Sequence, residues 1–305
     1  LTTITNGSAL GTGTITAAGG VLTIGADGIV LANDIDLQGG LNVGSTDNTV
    51  TLSGTISGPG NLGLAGSGTF ILTGANTYAD GTALISGTVR LANDSALGTG
   101  RLSLGSGTTV DYADGVSIAN RIETNNRFTL NQTGGVATHS GVIAGATSFS
   151  KTGSGTLVLS GDNTFTRGVT LSEGALILAN DSALGTGTLT ALDGTGIGFV
   201  GDRTIGNAIA LGGLVTFETG TASVTQSGSI SGGADGALVK IGSGNLTLSG
   251  ASSYSGTTTV AAGTLTVASS NALGSTAGGT IVRNGATLAI DTFVTSENIS
   301  IVGGG

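Results

Sequence analysis

His139 is the residue with which hydrolytic chemistry would have to begin, because it is the only histidine in the sequence and it precedes Ser140. A serine nucleophile needs a base beside it, and imidazole is the usual base. The same serine recurs 87 residues away in both directions, as Ser53 and Ser227, but leucine and glutamine stand in the histidine position there. The chain therefore keeps the serine without its base, and we predict a histidine on a strand face rather than a catalytic dyad.

Two pairs of acids could carry glycosidase chemistry, because two carboxyl groups are the minimum for cleaving a glycosidic bond by acid and base catalysis. The pairs are Asp34 with Asp36 and Asp111 with Asp114. They lie beside turn and ladder residues, and no cluster of arginine and lysine accompanies them to neutralise a uronate substrate. We predict that these acids are structural, with a polysaccharide lyase or glycosidase as the less favoured alternative.

Three further motifs fall short of a functional pattern. Residues 115–119 miss the Gly-x-Ser-x-Gly elbow of α/β hydrolases at their last position. Residues 232–236 lack the stacked copy that a calcium-binding nonapeptide requires. Asp94 and Asp181 share one turn position, but serine or asparagine replaces the acid in a third copy, which favours a turn residue over a metal ligand. The sequence therefore predicts no enzyme, no catalytic residue, no cofactor and no metal site, and it assigns no binding residue.

An internal repeat of 87 residues organises the whole chain. Residues 66–100 return as residues 153–187 with 21 of 35 positions identical, and a third copy covers residues 242–275. A period that covers every residue indicates identical units stacked in one direction rather than a site grafted on a globular fold. We predict that residues 1–305 are a single fragment of a longer stacked array.

Composition selects strands as the repeating element. Fifty-nine glycines, one proline and abundant Thr, Ser, Val, Ile and Leu do not suit a helical solenoid. Short alternating runs such as residues 156–160 lie between Gly, Asn, Asp and Ser clusters, which is typical of half-buried strands bounded by turns. Coils of about 20 to 24 residues would place about four coils in each unit. The predicted fold class is all-β, a parallel β-helix (solenoid) of roughly 14 coils.

Repeated side chains predict how each unit packs. One position is aromatic in every copy and is expected to stack at a coil corner: Tyr78, Phe165 and Tyr254. A leucine is expected to fill the corner at each Ser-Ala-Leu-Gly turn or its equivalent: Leu97, Leu184 and Leu273. Residues that repeat in this way indicate packing rather than ligand binding.

Bulk properties exclude nucleic acid as a partner. The net charge is −9 and the only lysines are Lys151 and Lys240, whereas nucleic-acid binding requires basic patches. The sequence contains no cysteine, which is compatible with export as an unfolded thread. It shows neither a signal peptide nor an apolar run long enough to span a membrane as a helix.

A flat array of outward threonines could bind ice or a crystalline polysaccharide. The candidate pieces are residues 257–259 and Thr264 with Thr266. At the positions of Thr264 and Thr266, the first unit has Thr88 and Arg90, and the second unit has alanine and isoleucine. We therefore expect no continuous threonine ladder along one face.

The three copies carry a family resemblance. Each combines Gly-Ser-Gly, an alternating strand ending near Leu-Ser-Gly or Leu-Thr-Gly, a second strand, and a Ser-Ala-Leu-Gly turn or its equivalent, starting at Gly66, Gly153 and Gly242. This pattern resembles the passenger-associated transport repeat, also called the autotransporter-associated β-strand repeat, of bacterial type V secretion proteins. The resemblance implies a right-handed parallel β-helix outside a Gram-negative cell, anchored in the outer membrane or released. It also implies export through a C-terminal translocator barrel of the parent chain.

The resemblance further implies that the repeat assists secretion, with folding outside the cell drawing the passenger out. We therefore predict a non-enzymatic stalk segment of an autotransporter passenger, which projects a distal domain and folds vectorially during export. The alternative is an adhesin that binds glycans or matrix proteins of a host or neighbouring cell through the β-helix.

The two ends of the sequence lack a recognisable cap. Near the first end, residues 6–11 repeat the Ser-Ala-Leu-Gly turn sequence. Near the last end, the sequence stops soon after Asn298, which occupies a position that recurs in every repeat. A solenoid whose ends are bare exposes unpaired strand edges. We therefore expect end-to-end self-association of the chain.

Overall fold

The computed structural model describes residues 2–294 and 297–303 of the 305-residue chain. The chain divides into two compact units, Leu1–Phe149 and Ser150–Gly305. The described elements are β-strands joined by turns, and they wind as a parallel β-solenoid of about 15 turns. The predicted fold class is confirmed, and the number of turns is close to the prediction. In the described part of the chain, no helix is long and apolar enough to cross a membrane.

Short strands make up the first unit. In chain order they are β1 (Thr2–Ile4), β2 (Ile15–Ala17), β3 (Gly20–Ile24), β4 (Ile29–Leu31), β5 (Ile35–Leu37), β6 (Leu41–Ser45), β7 (Thr49–Leu52), β8 (Ile56–Ser57), β9 (Leu62–Ala65), β10 (Thr69–Leu72), β11 (Thr82–Leu84), β12 (Thr88–Leu91), β13 (Leu102–Leu104), β14 (Thr108–Tyr112), β15 (Ser117–Ile118), β16 (Ile122–Glu123), β17 (Phe128–Asn131), β18 (Val136–His139) and β19 (Ile143–Ala144). Their parallel sheets run in the orders β1-β3-β6-β9-β11-β13-β16-β19, β4-β7-β10-β12-β14-β17, β2-β5-β8 and β15-β18.

The second unit has the same construction. Its strands, the first of which begins one residue before the unit, are β20 (Phe149–Thr152), β21 (Thr156–Leu159), β22 (Val169–Leu171), β23 (Ala175–Leu178), β24 (Leu189–Leu192), β25 (Gly196–Phe199), β26 (Arg203–Ile205), β27 (Ile209–Gly212), β28 (Leu214–Glu218), β29 (Ser223–Gln226), β30 (Ile230–Gly232), β31 (Ala237–Ile241), β32 (Asn245–Leu248), β33 (Thr258–Val260), β34 (Thr264–Val267), β35 (Thr280–Arg283), β36 (Thr287–Ile290) and β37 (Ile299–Val302). Its sheets contain the series β22-β24-β27-β30, β21-β23-β25-β28-β31-β33-β35-β37 and β26-β29-β32-β34-β36.

Each inner strand pairs in parallel with the strand one coil before it and the strand one coil after it. In the first unit, Thr69 pairs with Thr49 on one side and with Thr88 on the other. Partners are thus separated by about 20 residues, so an 87-residue unit accommodates about four coils, as predicted.

Alternation along each strand sends apolar side chains into the coil. In β10, Phe70 and Leu72 are fully buried, whereas Thr69 and Ile71 between them are half-buried and face outward. Removing Phe, Leu, Val and Ile from water drives this arrangement, and the small uniform residues let identical positions stack from coil to coil. The outward positions are consequently free to carry threonine, asparagine and charged residues.

Candidate functional site

The structure separates His139 from Ser140. His139 is buried at the end of β18, where its Nδ1 lies 3.0 Å from the Tyr112 hydroxyl. Ser140 points out of the coil, and its Oγ donates to the carbonyl oxygen of Ile118 at 3.3 Å. The equivalent serine of the preceding repeat, Ser53, makes the same kind of contact: its Oγ donates to the carbonyl oxygen of Leu31 on the previous coil at 3.4 Å. The serine is therefore a coil-to-coil contact rather than a nucleophile, and the two side chains form no dyad.

Burial also removes His139 from base chemistry. It lowers the pKa of the imidazole to about 4, so the ring is neutral at physiological pH. Its Nε2 has no hydrogen-bond partner among the residues that the structure describes. The equivalent positions, Leu52 and Gln226, are buried as well. His139 thus occupies a core position of the stack.

The first acid pair is engaged in local structure. Asp34 Oδ1 accepts the backbone N–H of Thr55 at 2.9 Å. Both carboxylate oxygens of Asp36 accept from the Gln38 side-chain amide at 2.9 Å. Asp34 is exposed and Asp36 is half-buried, so neither side chain lies in the desolvated pocket that a general acid requires.

The second acid pair is split between two environments. Asp111 forms an ion pair with Arg90 and accepts the Asn131 side-chain amide at 2.7 Å. Asp114 lies in an exposed turn, where its Oδ1 accepts the backbone N–H of Val136 at 2.7 Å. These contacts support the prediction that the acids are structural, and they show in addition that Asp111 and Asp114 bond from one coil to the next.

Carboxylates that bind the next coil recur through both units. In each case an Asp Oδ1 accepts a backbone N–H 21 to 23 residues later: Asp27 from Thr49, Asp34 from Thr55, Asp94 from Ser117, Asp114 from Val136, Asp181 from Thr204, Asp193 from Leu214 and Asp202 from Ser223. At Asp27 the N–H groups of Thr49 and Gly28 lower the carboxyl pKa. Asp94 and Asp181 therefore act as turn residues, as their repetition predicts.

The remaining sequence motifs also resolve into local structure. Ser117, the centre of residues 115–119, starts the short strand β15 and is exposed. Asp235 lies in an exposed turn that is closed by a bond from the Gly236 N–H to the Gly233 carbonyl oxygen at 3.0 Å. Across residues 2–294 and 297–303, no three His, Cys, Asp or Glu side chains are arranged to hold a metal ion.

The repeated aromatic position is fully buried. The Tyr78 hydroxyl is bonded to Thr82 Oγ1, and the Tyr254 hydroxyl lies 2.6 Å from Thr258 Oγ1. In the second copy the ring is Phe165, and the threonine position holds Val169. The tyrosine hydroxyl and the threonine that bonds it are therefore either both present or both absent, because a buried hydroxyl needs a hydrogen-bond partner. Desolvation raises the pKa of both tyrosines, and the position is part of the core.

The Ser-Ala-Leu-Gly turns pack as predicted and leave shallow depressions beside them. The corner leucines are buried: Leu97, Leu184 and Leu273. Depressions of about 470, 300 and 400 Å³ lie next to residues 6–11, 94–100 and 270–275. Because they recur at one position of the repeat, they follow from the shape of the turn.

Buried asparagines are a second repeated device. Asn120 Nδ2 donates to the carbonyl oxygens of Gly98 and Gly100 on the previous coil, at 3.0 and 2.7 Å. Asn33 and Asn207, which lie 87 residues before and after Asn120, make the same pair of bonds to their own previous coils. The fourth asparagine of the series, Asn298, is exposed. These asparagines recur every 87 residues because each repeat has a turn in which two backbone carbonyl oxygens need a hydrogen-bond donor.

The two lysines form a feature that sequence reasoning missed. Lys151 is fully buried, and its Nζ donates to the carbonyl oxygens of Thr152, Gly153 and Glu173 at 2.9, 2.7 and 3.2 Å. Lys240 repeats the arrangement at 3.0, 2.8 and 3.1 Å from the equivalent carbonyls. Burial lowers both pKa values, that of Lys151 to about 8, and a nearby glutamate carboxylate opposes each shift. A signal was present, because each lysine stands two residues before a Gly-Ser-Gly segment.

The outer face of the first unit carries a continuous row of threonines. In-register pairing places one threonine at the same position of five successive coils, and we call this the threonine row: Thr49, Thr69, Thr88, Thr109 and Thr129. All five side chains are half-buried. The expectation of no continuous ladder is wrong here, because it compared residues one 87-residue unit apart, whereas ladder partners are one coil apart.

Of the candidate threonines of the second unit, Thr266 belongs to a shorter row, whereas Thr264 pairs with Asn245 and Thr287. Thr266 pairs with Thr247, which continues through Thr225 to Thr204. Of residues 257–259, Thr258 is buried against Tyr254. Both units therefore present threonine on an outer sheet face, and the row of the first unit is the longer one.

Comparison with known proteins follows the repeat pattern. The passenger-associated transport repeat family matches residues 64–91, 149–178 and 238–267. The adhesin BmaC autotransporter of Brucella suis biovar 1 (strain 1330) is 39% identical over 155 residues, which cover 50% of this chain and 4% of that relative. The chain thus spans a small part of the length of the relative it matches. No solved structure matches the chain.

Proposed function

We propose that this chain is a segment of an autotransporter passenger that carries passenger-associated transport repeats, and that it is a non-enzymatic stalk that folds coil by coil during export. Its place is the surface of a Gram-negative bacterium or the medium outside it. The buried histidine and the carboxylates engaged in coil-to-coil bonds support a structural role for the residues that could otherwise do chemistry.

The observation that carries the proposal is the sequential pairing of the strands. Each strand bonds to strands about 20 residues away, so a coil can form on its predecessor as soon as its own residues are available. A chain that leaves a membrane pore as a thread would then fold in the order in which it emerges. Each folded coil would prevent the thread from sliding back, and the finished stack would hold a distal domain away from the cell.

The export test compares two neighbouring residues of β23. Leu178 is fully buried, whereas Ile177 is half-buried and faces outward. Within the full autotransporter, Leu178→Asp should reduce the passenger exposed on intact cells several-fold, because a buried carboxylate prevents its coil from closing. Ile177→Asp adds the same charge and should leave surface exposure unchanged. Equal exposure of the two variants to an external protease, with Leu178→Asp shown to be unfolded, would refute folding-assisted export.

The extent of the parent protein is part of the same proposal. We propose that residues 1–305 are a piece of a longer passenger built from units of about 87 residues, and that the parent chain ends in a translocator domain. The small fraction of the relative that is matched, 4%, supports a longer parent.

An adhesin role is the second candidate function. The name of the relative, an adhesin, favours it, and so does the polar outer face of the first unit. On this alternative the β-helix itself binds glycans or matrix proteins of a host or neighbouring cell. Binding by the intact chain is measured in the experiment of the next subsection.

We also propose that the isolated 305-residue fragment associates end to end. β37 pairs with β35, and no second partner strand for it occurs among the described residues. Ile301 in this strand is 80% exposed, and Phe293, which precedes the strand in the sequence, is 79% exposed. An apolar strand with a free edge is a template for pairing with another chain.

The association test adds one charge to this edge. Ile301→Lys should abolish concentration-dependent oligomers in sedimentation velocity, because a lysine on an edge strand opposes pairing. Val200→Lys is the control, since Val200 is an exposed apolar residue of a turn and lies far from β37 in the sequence. Oligomers that persist in Ile301→Lys would show that this edge is not responsible.

A further inference from the structure

We propose that the threonine row and the row beside it bind a neutral, linear, β-linked polysaccharide that lies along the stacked coils. The inference deepens the adhesin alternative above, for which it names the site and the class of ligand. The site is formed by β7, β10, β12, β14 and β17, all of which belong to the first unit.

The hydroxyl groups of the threonine row are available for a ligand. Thr69, Thr88, Thr109 and Thr129 make no side-chain hydrogen bond to any other residue in the described ranges, and all are partly exposed. Thr49 is the exception, because its hydroxyl interacts with Asp27. Each free hydroxyl can donate one hydrogen bond and accept others, as the hydroxyls of a sugar do.

The spacing of these hydroxyls suits a repeating ligand. Parallel strands place equivalent side chains about 4.8 Å apart, so five threonines extend over about 19 Å. An extended β-linked polysaccharide advances by a similar distance with each sugar ring. One threonine can therefore meet one ring along the length of the row. The threonine methyl groups supply apolar contact to the ring faces between these hydrogen bonds.

The neighbouring row adds polar groups in fixed positions. Strand register places Ile71, Arg90, Asp111 and Asn131 next to one another on consecutive coils, two residues beyond the threonines. Asp111 pairs with Arg90 and accepts from Asn131, so the three side chains hold each other in place. Groups fixed before binding lose little conformational entropy when a ligand arrives. The Arg90 and Asp111 charges cancel, which favours a neutral over an acidic polysaccharide.

The fold itself does not demand this row. One 87-residue unit further on, the five positions hold valine, threonine, alanine, glycine and threonine, and those strands form equally well. The shorter threonine row of the second unit differs in chemistry. Thr266 Oγ1 donates to Asn245 Oδ1 at 2.9 Å, and Asn245 Nδ2 donates to Thr247 Oγ1 at 3.0 Å. The hydroxyls of Thr247 and Thr266 are therefore occupied, which makes these two residues the matched control.

The test measures co-sedimentation of the purified 305-residue chain with insoluble cellulose and with chitin. The row variant carries Thr69→Val, Thr88→Val and Thr109→Val, which keep the β-branched shape and remove three hydroxyls. The control variant carries Thr247→Val and Thr266→Val. We expect the unmodified chain to bind at least one of the two polymers, the row variant to bind at least about tenfold more weakly, and the control to bind normally. Circular dichroism checks that all three proteins are folded.

Several outcomes would overturn the inference. Binding that is equal in the row variant and the unmodified chain would place the site elsewhere, while the adhesin role would stand. Absence of binding to both polymers would reject the polysaccharide, and the export test of the stalk would be unaffected. Inhibition of ice growth by the unmodified chain and not by the row variant would assign the row to ice instead.

Discussion

Gly141→Ala is expected to lower the free energy of unfolding by about 3 kcal/mol or more, because a Cβ at this position has no room. An added Cβ would lie 2.1 Å from the carbonyl oxygen of Asn120 and 2.7 Å from that of Ala119. Both atoms belong to the backbone of the previous coil, which is fixed by the ladder and by the Asn120 side-chain bonds to Gly98 and Gly100. Relief of the clash would require the two coils to separate.

The control for this prediction is Gly134→Ala, a change of the same size in the same unit. A Cβ at Gly134 meets nothing within 4 Å, and the residue is exposed. We expect its effect to remain within about 0.5 kcal/mol. Urea unfolding followed by far-UV circular dichroism measures both variants. If Gly141→Ala unfolds at the same urea concentration as Gly134→Ala, coil-to-coil contact at this glycine is looser than the structure indicates.

The close approach at Gly141 explains a spacing that the sequence reveals only as a pattern. Gly54 and Gly228 occupy the same position in the neighbouring 87-residue repeats. A Cβ at Gly54 would lie 2.1 Å from the carbonyl oxygen of Asn33, and a Cβ at Gly228 would lie 2.1 Å from that of Asn207. The repeat of glycine and asparagine is therefore one structural contact. A repeated motif predicts that such a contact exists, but the distance that makes alanine unacceptable depends on the stacked backbone.

The fold was predictable because every coil repeats the same few signals. Alternating apolar residues, turn residues and the 87-residue period all agree on a parallel β-solenoid. The structural roles of Asp94 and Asp181 were predictable for the same reason, since both recur at one turn.

The outer faces were less predictable than the core. Paired strands are separated by 19 residues between Thr69 and Thr88 and by 21 residues between Thr88 and Thr109. A coil length that varies by a residue or two moves a side chain to another row, so comparison of whole units could not reveal the threonine row. The buried lysines were missed for a different reason. Lysine is rarely buried, so its residue type alone predicts a solvated side chain, and burial of Lys151 and Lys240 depends on carbonyl oxygens that the stacked coils bring together.

His139→Gln is expected to make the chain less sensitive to acid. Burial lowers the imidazole pKa from 6.5 to about 4, so the folded chain keeps the ring neutral where the unfolded chain protonates it. The unfolded state therefore binds more protons between these two values, and stability falls as the pH decreases through them. The loss amounts to about 3 kcal/mol at pH 4 and is absent above about pH 7. Glutamine does not titrate, and it already stands at the equivalent buried position as Gln226.

The measurement that isolates this effect compares free energies of unfolding at pH 7.5 and pH 4. The Asp27 carboxylate, whose pKa is lowered by backbone N–H groups, also loses stabilisation as the pH falls, but it does so equally in both proteins. The difference between the unmodified chain and His139→Gln therefore reports the histidine. Tyr112→Phe is the control, since it removes the hydroxyl that lies 3.0 Å from Nδ1 and leaves the titrating ring in place. It should retain the acid sensitivity. If His139→Gln loses as much stability as the unmodified chain, the buried imidazole is not the source of that sensitivity.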